Sequence, residues 1–147
     1  MKDSDNAIKQ AELILKLYEL RREPVMRSAR GYIGGEFMPR SVDDLVRLVT
    51  AGDQKTGYIL QVYGYWDMVA AFVVHEALDA SLVYDTCQEM YFQYAKIQPH
   101  LAGFRQTMNL PEFLRSIEAV VEGSEQGRSR LADMKRNMNE IARSRPA

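Results

Sequence analysis

Few side chains in this sequence are of types that do chemistry: His75, His100, Cys87, and scattered carboxylates and arginines. A carboxylate-bridged di-metal site in a helical bundle needs Glu-x-x-His pairs on facing helices. Phe72 stands three residues before His75 and Ile97 three before His100, so neither histidine belongs to that motif. His75, next to Glu76 at an expected helix end, suits contact with terminal carbonyls. His100 follows Pro99 and suits a kink or the surface. Asp85 and Glu89 are one helical turn apart, a spacing open to paired acid–base work. No histidine or third acid matches them, and a solvated face accounts for both. Cys87 has no adjacent His or Lys to activate it and reads as a small core residue.

Asp67 is an isolated charge inside a very apolar stretch, so it calls for a partner or an exposed arc. Arg27 or Arg30 is the expected partner, in a structural ion pair rather than as a catalytic acid. Arg21, Arg22, Arg27 and Arg30 crowd one junction. They suit either anion capture beside helix N-terminal amides or surface pairing with Glu19 and Glu23. Tyr58, Tyr63, Tyr65 and Trp66 either line a ligand pocket or pack a core. The run Gly31 to Gly35 (GYIGG) lacks the Lys-Ser/Thr ending and preceding strand of a phosphate loop. There is no nucleophile elbow and no basic-aromatic ladder for single-stranded nucleic acid. The expectation is a protein that is not an enzyme, with no cofactor and no metal.

Helices must position these groups. Thr56 to Val74 is the longest helix-compatible run, apolar over most of its circumference, and belongs at the centre of a domain. The helix is expected over about residues 56–77. Gly57, Gly64 and Ala71 are seven residues apart and share one seam, with Gln61, Met68 and His75 beside them. Glycine inside a helix costs roughly 1 kcal/mol relative to alanine. That cost suggests close approach of another helix, unless Gly57 merely lies at a frayed start.

Around this helix the punctuation reads in order. Ser4 or Asp5 caps a first helix to about Arg22, with Ile8, Leu13, Ile14, Leu15, Leu17, Tyr18 and Leu20 on a broad apolar face. Glu23-Pro24 opens a short second helix, closed by Gly34-Gly35. Ser41 to Asp44 resembles a capping box and opens a third. Asp79 starts a long segment to about Met108, which Pro99 should kink or break near Gln98. Asn109-Leu110-Pro111 starts the next helix, ended by Gly123-Ser124. The last segment, Glu125 to Arg143, spaces Leu131, Met134, Met138 and Ile141 as a narrow seam for one partner helix. No strand-like alternation is present.

The length of 147 residues fits one domain. It reads as a bundle over 1–123 with a charged C-terminal helix, 124–147, as arm or outer layer. Nineteen basic against twenty acidic residues give a net charge of −1, which argues against general nucleic-acid binding. Residues 124–147 carry six Lys/Arg and three Asp/Glu, so the tail suits an acidic surface. A single cysteine excludes an intrachain disulfide and fits a reduced cytoplasm. The polar N-terminus reads as no signal peptide, and the apolar run Met68 to Val74 is too short to span a bilayer.

The order Leu17-Tyr18, Arg22-Glu23-Pro24, Arg27-Ser28-Ala29-Arg30, then Ile59, Tyr63, Trp66 and Val69, then Leu78-Asp79-Ala80-Ser81-Leu82-Val83-Tyr84 resembles a bacterial family of small all-helical proteins of unknown function. The resemblance covers roughly Ala11 to Phe104. It implies a helical fold and carries no catalytic residues with it.

The expectation is an all-α, compact bundle of six or seven helices around the central apolar helix. The expected function is that of an interaction or scaffold protein, as a homo-oligomer or with a protein partner, without nucleic acid. Gly57, Gly64, Ala71, Leu131, Met134, Met138 and Ile141 are the candidate interface. The alternative is a small-ligand sensor, with Tyr63 and Trp66 in its pocket and Arg27 and Arg30 holding an acid group.

Overall fold

The computed structural model describes residues 3–144 and is all-helical there. Among the described residues eight helices follow one another: α1 Ser4–Arg21, α2 Pro24–Gly35, α3 Val42–Thr50, α4 Gln54–Val74, α5 Ala80–Thr86, α6 Gln88–Met108, α7 Arg115–Glu122 and α8 Glu125–Ser144. The count exceeds the expected six or seven because the segment from Ala80 to Met108, expected as one element, is two helices divided at Cys87, and Pro99 divides nothing.

Local chemistry accounts for both outcomes. Cys87 leaves helical angles (φ −122°, ψ 53°), and side chains take up carbonyls nearby. The Gln88 amide donates to the Tyr84 carbonyl at 2.8 Å and the Thr86 hydroxyl to that of Leu82 at 2.7 Å. Pro99 is exposed, and α6 runs through it. A proline removes one donor and crowds one carbonyl, which flanking helix on both sides tolerates.

Side-chain caps set the other boundaries. Glu23 accepts from Val25 and Met26 N–H (3.1 and 2.9 Å), with Pro24 as the first residue of α2. Ser41 accepts from Asp44 N–H at 3.0 Å, while the Asp44 carboxylate reaches back to Arg40 N–H at 3.0 Å. Asp53 accepts from Thr56 N–H at 3.0 Å, and these bonds hold its carboxyl below the usual range. The central helix therefore starts at Gln54. It stops at Val74, before the expected Ala77, because Glu76 takes a left-handed conformation (φ 63°). The sixth expected helix likewise begins later, at Arg115: Asn109 closes α6 in a left-handed conformation (φ 54°), and Leu114 does the same (φ 56°) before α7.

The core gathers round α4. Ile59, Val62, Tyr63, Trp66, Val69 and Ala70 are buried, and α2 and α7 pack along this helix. α6 adds Met90, Tyr91, Tyr94, Ile97 and Phe104. α8 lies on α6 and α7, with Leu131 buried and Met134 and Met138 packed against the core. α1 packs more thinly. Leu17 is buried, but Ile8, Leu15, Tyr18 and Leu20 are exposed, so only part of the broad apolar face is used.

Candidate functional site

The seam Gly57, Gly64, Ala71 falls on the outer side of α4. Gly57 and Gly64 are exposed and Ala71 is half-buried. A methyl group built on either glycine would meet nothing within 4 Å. Among the described residues, no helix fills the groove that the missing side chains create. Leu60 (47% exposed) and Met68 (37%) flank the seam, and Gln61 lies along it. From Thr56 to Trp66 the helix carries no charged residue. Beside it, Val25 is exposed, and Pro24, Val25, Ser28, Gln54, Tyr58 and Gln61 line an open groove. α4 is apolar over most of its circumference, and the domain covers it chiefly along the arcs that meet α2, α3 and α7, with Tyr63 and Tyr65 reaching α6 and α1. The small-residue arc is left to solvent.

The other candidate residues go elsewhere. Trp66 and Tyr63 are 0% and 1% exposed and belong to the core, not to an open pocket. Tyr63 donates to the Gln93 carbonyl at 2.7 Å, and burial raises its pKa well above the ordinary value. Tyr65 sits edge-on to Trp66 at 4.8 Å between centroids and donates to the Leu17 carbonyl at 2.5 Å, so it ties α1 to α4. Burial pushes the Tyr65 hydroxyl up to about 12, against the lowering field of Arg21.

The arginines do not converge on one point. Arg30 Nε contacts both Glu89 oxygens at 3.1 and 3.0 Å, and Arg27 is exposed. Arg21 lies over the rings of Tyr18 (4.8 Å) and Trp66 (5.1 Å). Asp67 pairs with neither Arg27 nor Arg30; it accepts from Ile117 N–H at 3.1 Å. Asp85 and Glu89 are separated by the break at Cys87 and each has its own arginine, Arg130 at 3.1 Å and Arg30 at 3.0 Å. Cys87 is buried, and burial raises its thiol pKa. His75 closes α4, its N–H on the Ala71 carbonyl at 2.9 Å, and the His100 ring meets the Pro39 carbonyl at 3.1 Å instead of lying free on the surface.

Along α8, Leu131, Met134 and Met138 meet their own domain, and Ile141 is 52% exposed. Sequence periodicity finds this stripe but cannot name the surface it meets. One further residue lies outside the sequence-based candidates: Lys96, buried in α6 at 4% exposure. Periodicity alone gives no reason to single out a lysine on a long helix.

Comparison with known proteins gives one family. The description Domain of unknown function (DUF4760) matches residues 6–124. The chain belongs to this family. The match spans α1 to α7 and ends where α8 begins. No curated protein and no solved structure matches the chain. Among the described residues, no helix is long and apolar enough to cross a membrane.

Proposed function

We propose that this DUF4760 protein is a non-enzymatic interaction module that self-associates through the outer arc of α4. The observation that carries this reading is the empty seam at Gly57 and Gly64, flanked by exposed Leu60 and Met68. A closed dimer places the same patch on both subunits. Across such a two-fold, the uncharged stretch from Thr56 to Trp66 sets no like charges against each other. The two glycines let backbones approach closely, which offsets their cost in helix propensity. Leu60, Met68 and Val25 then leave water together. A reducing compartment such as the cytoplasm suits the buried single thiol.

The test is solution mass by light scattering over a concentration series, on the native chain and on Gly64→Leu and Met68→Glu. The expected result is a native dimer, with both variants shifted to monomer at unchanged helical circular dichroism. A native chain that stays monomeric throughout, or a dimer indifferent to both substitutions, would overturn the proposal.

A further inference from the structure

A cavity of about 380 Å³ lies between the end of α2, the segment leading to α3, and helices α6 and α8. Its size falls within the range of small-molecule sites. Phe37, Met38, Phe92, Met138 and Ile141 give it apolar walls, and Gly34 and Gly35 bring bare backbone to its edge. One buried cation lines it. Lys96 is 4% exposed, and its Nζ donates to the Ile33 carbonyl and lies 4.6 Å from the Phe92 ring centroid.

Among the described residues, Lys96 has no carboxylate at ion-pair distance. An ammonium has three donors, and Ile33 takes one. Capping the C-terminal carbonyls of α2 accounts for that single bond but leaves the cavity unexplained. Burying a charge without a contacting counterion is costly: burial pushes the amine down to about 8, and the field of Glu89, itself paired with Arg30, offsets this only in part. Arg40 also lines the cavity, but it is exposed and solvent screens its charge, so Lys96 is the one buried charge there. Glu36, the acidic residue of the lining, is exposed and paired with Lys55 at 3.4 Å.

We infer that this cavity binds a small monocarboxylate with an apolar tail, its carboxylate on Lys96 and its tail among Phe37, Phe92 and Met138. A monoanion balances the one buried ammonium. A dianion would leave excess charge among apolar walls.

Calorimetric titration tests this with sodium octanoate as probe and 1-octanol as its neutral counterpart. Lys96→Met removes the charge, and Met138→Trp fills the cavity without touching the cation. The native chain should bind octanoate saturably and at least about tenfold more tightly than octanol, and each variant should lose about tenfold or more. No saturable binding by the native chain, equal affinity for octanol, or native affinity in folded Lys96→Met would overturn the inference. Should Lys96→Met fail to fold, Met138→Trp decides alone, and octanoate affinity equal to native there overturns it.

Discussion

The Asp67 carboxylate accepts from the backbone N–H of Ile117 at 3.1 Å, so a residue of α4 caps the start of α7. The residue in the cap position of α7 is Leu114, which has no side-chain acceptor. The first N–H groups of any helix lack internal partners, and a negative group there also meets the favourable end of the helix dipole. An acid inside the most apolar helix is thus explained by a partner fifty residues later.

Asp67→Ala should therefore cost ~1–2 kcal/mol, the loss of a helix cap. Asp67→Asn keeps an acceptor oxygen and should cost less. Urea titration followed by circular dichroism reads both. Equal losses for the two variants would show that the charge, rather than the hydrogen bond, is what α7 needs.

A second polar chain links three helices. The Tyr94 hydroxyl donates to Glu122, the Gln98 amide meets the same carboxylate at 3.4 Å, and Lys135 donates to Gln98. Tyr94→Phe leaves the apolar packing in place and removes one bond, for an expected loss of ~1 kcal/mol. A double-mutant cycle with Glu122→Gln should give a non-zero coupling energy; strict additivity would count against a connected network.

α8 covers the core, so a chain ending at Gly123 should lose stability even without a partner. It forfeits Leu131, only 6% exposed, together with Met134 and Met138. Removing a buried large apolar side chain alone costs ~2–5 kcal/mol. The thermal midpoint should fall in a calorimetric scan, and an unchanged midpoint would contradict the packing of α8 on α6 and α7.

The tight connection between α7 and α8 gives a sharper local test. A methyl group on Gly127 would fall 2.4 Å from the Val121 carbonyl oxygen and 2.6 Å from that of Val120. Both are backbone atoms that cannot swing aside. Gly127→Ala should destabilise despite alanine's better helix propensity, whereas Gly57→Ala, with open space around it, should not destabilise the monomer.

Stability should also rise and then fall with alkaline pH. The Lys96 amine titrates at about 8 in the fold and near 10.5 in the unfolded chain. Between those values the unfolded chain holds the additional proton, so stability rises with pH. The tyrosines act oppositely. Tyr65 is raised to about 12 and Tyr63 well above 10.0, so their contribution is present below about pH 10 and lost as pH climbs further. Urea midpoints across pH 7–11.5 should pass through a maximum, and Lys96→Met should remove the rising limb.

Local chemistry wrote much of the fold into the sequence. Predominantly apolar character marks α4 as central, and Glu23-Pro24 and Ser41 announce helix starts through bonds to residues two or three positions away. Such contacts need no knowledge of the rest of the molecule. Tertiary structure decided whatever depends on distant neighbours. Pro99 promised a break, yet the helix divides at Cys87, where side chains serve the freed carbonyls. Gly103 looks unremarkable until α3 is placed: a methyl group there would lie 2.6 Å from a Val42 methyl. The Gly57 and Gly64 seam is readable as a line of small residues, but only the packing of α2, α3 and α7 on the other arcs turns it outward. The Lys96 cavity had no signature at all. Its walls come from α2, α6, α8 and the segment before α3, which only folding brings together.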